Sequence, residues 1–85
     1  MPYITQRSRN DLKDGRPALT PGELNYQITK LIDEYVGHNL TYTKINDVVG
    51  VLECAKQEFY RRVAAPYEDE KQQANGDVYR ERSWK

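Results

Sequence analysis

The sequence has one cysteine, Cys54, and a lone thiol cannot close a disulfide within the chain. That excludes a disulfide-stapled scaffold and makes a reducing compartment the expectation. It has one histidine, His38, so no arrangement that needs two imidazoles is available. There is no excess of one charge: thirteen Lys and Arg cancel thirteen Asp and Glu. Proteins that hold duplex nucleic acid by neutralising phosphates carry a basic surplus, so duplex DNA or RNA is not an expected partner. No apolar run is long enough to span a bilayer, and MPYITQRSRN lacks the apolar core of a signal peptide. The expectation is a soluble, cytoplasmic chain with no membrane partner. Glycine-rich phosphate loops and Cys/His metal spacings are also missing. No catalytic residue, metal or cofactor is expected, and an enzyme is not.

What the sequence does have is helical order. Residues 1–19 are polar, include Gly15 and Pro17, and show no period. They read as a mobile N-terminal arm with one helical turn near Asn10 to Lys13. At TPGELNY the pattern changes. Thr20, Pro21 and Glu23 form a capping box with proline at the first helical position: the threonine oxygen accepts an orphan N–H and the glutamate reaches back to the cap. Leu24, Ile28, Leu31, Ile32 and Tyr35 then fall on one face, and Gly37 supplies the stop, which places a first helix at 21–36. With Thr41 or Thr43 as the next cap, Ile45, Val48, Val49, Leu52, Phe59 and Val63 predict a second helix at 43–65, ended or kinked by Pro66. Counting Val51, Ala55 and Tyr60 as well, its apolar arc is about 180°, whereas packing on one neighbour needs little more than about 100°.

Pro66 can open a third helix, because Glu68, Asp69 and Glu70 lie in the first turn that follows, where the helix dipole favours them. ANGDVY resembles a hairpin tip. No alternating strand precedes it, so Asn75 and Gly76 read as a helix stop, and residues 77–85 as an extended, charged tail. The domain organisation expected is thus an arm at 1–19, a helical domain at 20–76 and a tail at 77–85.

Several polar residues break this pattern. Lys56 projects near the middle of the second helix's apolar arc. One reading lays its methylenes across the core and its ammonium on water or on a carboxylate such as Glu23 or Glu34; the sharper one aims it into an intersubunit pocket. Cys54 reads as a small packing residue. Tyrosine is the abundant aromatic, seven against one Phe and one Trp. Tyr26 lies on the side of the first helix away from its apolar face. Tyr60, Tyr67 and Tyr79 surround Arg61 and Arg62. Tyrosine with arginine suits either a protein interface or stacking on a base while a guanidinium holds phosphate. Equally, tyrosines can lie at the water boundary of a small core. The candidate ligand-binding residues are Tyr60, Arg61, Arg62, Tyr67, Lys56 and Tyr79.

MPYI, TPGELNY, IN.VVGVLECAK.EFYRRVAAPYEDEK and NGDVY, in that order, resemble a family of small, functionally uncharacterised proteins of tailed phages and prophages. The resemblance covers most of residues 1–79 and implies a phage accessory protein acting in the cytoplasm of a bacterial host. It carries over no activity and no site residue.

The fold expected is all-α: an antiparallel helical hairpin, a shorter third helix after Pro66 and extended termini. Two helices alone cannot cover the second helix's arc, so self-association is expected, a dimer by base rate or a higher oligomer. Two functions fit. One is a non-enzymatic oligomer that captures a small anionic, nucleotide-type signal in intersubunit Tyr/Arg pockets, as counter-defence. The other is an inhibitor or adaptor that binds a host or phage protein through the same surface.

Overall fold

A computed structural model describes residues 1–83. Four α-helices occur in the order α1 (Gln6–Lys13), α2 (Pro21–Val36), α3 (Tyr42–Phe59) and α4 (Ala65–Asn75), with a π-helical turn over Tyr60–Ala64 between the last two. Among the described residues there is no strand, so the all-α class holds. The chain divides into two compact units, Met1–Val48 and a second from Val49 onward.

In the first unit, the segment read as a mobile arm is a helix. Its N-cap is Thr5, whose side-chain oxygen accepts the Ser8 N–H at 3.1 Å. At its C-terminus the Gly15 N–H donates to the Leu12 carbonyl and the Arg16 N–H to the Asp11 carbonyl. That pair of bonds, with Gly15 at φ 106°, is a Schellman stop, and it needs a residue that tolerates positive φ. The single turn expected at Asn10 to Lys13 is therefore longer. An eight-residue polar helix has little stability alone; α1 holds because it packs on α2 and buries Leu12. The first residues of the chain also run against the start of α2, where a Cβ on Gly22 would come within 3.2 Å of the Met1 carbonyl oxygen.

The α2 start is the one its sequence encodes. Thr20 accepts the Glu23 N–H at 3.1 Å, Pro21 opens the first turn, and Gly37 ends the helix at φ 66°. The reciprocal half of the capping box is displaced: the Glu23 carboxylate accepts the Leu19 N–H at 2.9 Å, one residue before the cap. Lys44 closes the connector by donating to the Val36 and Asn39 carbonyls, at 2.9 and 3.0 Å. Of the two cap candidates for α3 it is Thr41 that serves, accepting the Lys44 N–H at 3.2 Å.

Pro66 falls in the first turn of α4, as expected, and α3 passes through the π turn into α4 without a break in the helical backbone. The backbone stays right-handed helical through Phe59, Ala64 and Ala65, and the Ala65 N–H reaches back to the Tyr60 carbonyl, five residues away. Proline has no N–H for the carbonyl four residues earlier, and its ring collides with that carbonyl in a regular α-helix. A π turn shifts the ladder by one residue and lets the helix pass that point. Asn75 and Gly76, at φ 90°, then stop α4, as NG was read.

Burial is sparse. Among the described residues only Leu12 and Glu23 are buried, at 7% and 8% exposure. Leu24, Leu31, Ile45, Val49, Val51 and Phe59, which the periodicity assigned to a core, are open to solvent in the single chain.

Candidate functional site

All six candidate residues belong to the second unit. Lys56 is on α3, Tyr60, Arg61 and Arg62 are in the π turn, Tyr67 is on α4, and Tyr79 lies beyond the Gly76 stop. Three of them share a groove of about 710 Å³: Lys56, Tyr60 and Arg61, with Glu53, Cys54 and Glu58. Arg62 and Tyr67 are not among its residues, and Tyr79 lines a separate groove of about 460 Å³ beside Glu68, Asp69 and Asp77.

The charges in that first groove are paired with one another. The Arg61 guanidinium donates to both Glu58 oxygens, at 2.8 and 2.9 Å. Arg62 comes within 3.8 Å of the same carboxylate, and Lys56 within 3.6 Å of Glu53. Within its own unit Lys56 is exposed and lies beside Glu53, three residues earlier on its own helix. The hydrogen bond from Gln57, and then the Lys56 charge, hold the Glu53 carboxyl below its ordinary value. The Tyr60 hydroxyl donates to Glu68 at 3.0 Å, and this bond raises the phenol above its usual range. The Tyr67 ring carries the Lys71 ammonium 5.6 Å from its centroid, one helical turn on. Cys54 is exposed rather than packed.

The first unit contains a constellation that sequence reading passed over. Arg16 donates through two nitrogens to the two Glu23 oxygens, at 3.0 and 2.8 Å, and Asp11 lies 3.9 Å from the same guanidinium. Its bond to Arg16, and then the Leu19 N–H, lower the Glu23 carboxyl to about 2. A fork-to-fork pair of this kind fixes direction as well as charge. Nearby, the Arg9 guanidinium lies 5.5 Å from the centroid of the half-buried Tyr26 ring. The signal for this region was present in Thr5, Gly15 and the off-face Tyr26. It stayed hidden because the segment before Thr20 has no apolar period.

One family model matches the chain, over residues 1–78; it is that of DUF6899, a domain of unknown function. No curated protein and no solved structure matches.

Proposed function

Because the chain belongs to the DUF6899 family, whose description assigns no activity, we propose a role from its own chemistry: a non-enzymatic phage accessory protein that self-associates and captures a small anionic, nucleotide-type signal. In the setting implied by the resemblance to phage proteins, capture serves counter-defence by lowering the free signal in the host cytoplasm. Exposure is the observation that carries the assembly. Leu12 is the one buried hydrophobic residue among those described, while Leu24, Leu31, Val49 and Phe59 stand in water. Full burial of such a side chain is worth about 1.5–3 kcal/mol, and these, half to two-thirds exposed, forgo a matching part of it. Packing α2 against α3 as an antiparallel hairpin and closing the rest with a second copy recovers that energy. It also turns an open groove into a pocket with walls from two subunits.

The ligand part is supported by residue chemistry. Lys56, Tyr60 and Arg61 stand together, and Arg62, Tyr67 and Tyr79 follow within the same unit. Guanidinium meets phosphate by charge-assisted bonds, and a tyrosine ring accepts a base by stacking. A thermal-shift screen against linear and cyclic nucleotides tests it. A nucleotide should raise the melting temperature, and loss of that effect in Arg62→Ala, with helicity and assembly unaltered, would put the anion on the Tyr60–Tyr67 surface.

The second reading, an inhibitor or adaptor for a host or phage protein, is favoured by one observation. The groove's cations are already paired with Glu53 and Glu58 on an open surface, as in the polar rim of a protein interface. If no nucleotide shifts the melt while a host protein co-purifies and is lost in Arg62→Ala, that reading replaces capture.

A further inference from the structure

We infer that the groove between α1 and α2 binds a small phosphate-bearing molecule. The inference rests on the anion-capture reading above and moves its anion from the Tyr60–Tyr67 surface to the first unit.

The groove is made by two helix faces. On α1, Arg9, Asn10 and Lys13 are spaced three and four apart, and on α2, Tyr26, Lys30 and Glu34 are spaced four apart, so each set lines one side. Together they border an open groove of about 810 Å³. Three cations face one carboxylate there, a surplus of positive charge in a chain whose total charge is zero. None of Arg9, Lys13 and Lys30 enters an ion pair among the described residues. In the other unit Lys56 and Arg61 already have partners: an anion approaching either competes with Glu53 or Glu58.

Arg9 is also fixed in advance. Its Nε donates to the Ile4 carbonyl at 3.1 Å, and its guanidinium carbon lies 5.5 Å from the Tyr26 ring centroid. Neither of its terminal nitrogens has an acceptor among the described residues, so the fork is held ready for an oxyanion without first giving up a protein bond. Two lysines beside a guanidinium call for more than one negative charge, and several oxygens to share among them. A phosphate ester or pyrophosphate offers both, whereas a single carboxylate satisfies the fork alone.

Isothermal titration with inorganic pyrophosphate and with ADP tests the assignment on the full-length protein. Lys13→Glu and Lys30→Glu are the variants of choice: both side chains are exposed and hold no partner among the described residues, so the fold should be kept, as circular dichroism will verify. Each reversal should weaken binding at least about tenfold, the loss expected for one charge-assisted contact, while Arg62→Ala leaves it unchanged. Tighter binding of ADP than of pyrophosphate identifies a nucleotide as the source of the phosphate, and equal binding identifies free phosphate. If Arg62→Ala abolishes binding and both lysine reversals retain it, the α1–α2 assignment is overturned while anion capture stands. If neither compound binds the wild-type protein, the α1–α2 assignment is overturned, while anion capture is decided by the screen against linear and cyclic nucleotides.

Discussion

Glu23 carries the most information of any residue in the chain. Among the described residues it is one of two that are buried, and its oxygens take both the Arg16 fork and the Leu19 N–H. These bonds favour the ionised form and lower the carboxyl from 4.5 to about 2 in the folded chain. A depressed carboxyl pKa stabilises the fold above the unfolded value, and that stabilisation disappears as protons bind the folded state. Melting temperature should therefore fall as pH drops from about 4.5 towards about 2. Glu23→Gln should melt lower than wild type at neutral pH and lack that part of the acid loss. Superimposable melting curves for the two proteins across this window would show that the Arg16 pair does not hold the first unit.

At the scale of elements, the π turn over Tyr60–Ala64 is the feature that a helical wheel gets wrong. The wheel assumes an unbroken advance of about 100° per residue; a π turn adds one residue and rotates everything after it. Within this turn the Arg61 and Arg62 guanidinium groups both approach Glu58. Pro66 is the physical cause, since its missing N–H removes one α bond in any register. Pro66→Ala should restore the α ladder across residues 60–64 and stabilise this run by up to about 3 kcal/mol, the proline penalty in a helix interior. Amide exchange around Tyr60 to Ala64 is the readout. Exchange that stays fast in the variant would assign the π turn to another cause.

For the whole molecule the decisive quantity is the apolar surface left in water. A domain of about this size is expected to bury roughly 60% of what its unfolded chain exposes, yet Val51 and Phe59 remain 66% and 65% exposed. The protein should sediment as a dimer or larger at micromolar concentration. Val51→Asp should weaken that association by about a hundredfold or more, because an unpaired carboxylate would be desolvated at the contact. A wild-type monomer by light scattering at high concentration overturns the assembly.

Local signals with a local cause were legible in the sequence. The Thr20 cap, Pro21, the Gly37 stop and the NG stop after α4 each depend on a few neighbouring residues, so their chemistry can be read without a fold. The all-α class followed from the same periodicity. What tertiary structure decided was everything that needs a partner distant in sequence. Residues 6–13 are helical because α2 is there to bury Leu12 and to take Arg9 on Tyr26. Glu23 leaves its own cap for Arg16 and Leu19 because the Schellman turn at Gly15 delivers them. Periodicity named the apolar faces of α2 and α3, but the exposure of Leu24, Leu31, Val49 and Phe59 on them could be read only from the structure. A one-dimensional pattern records which side chains avoid water, while the neighbour that shields them is fixed only by packing.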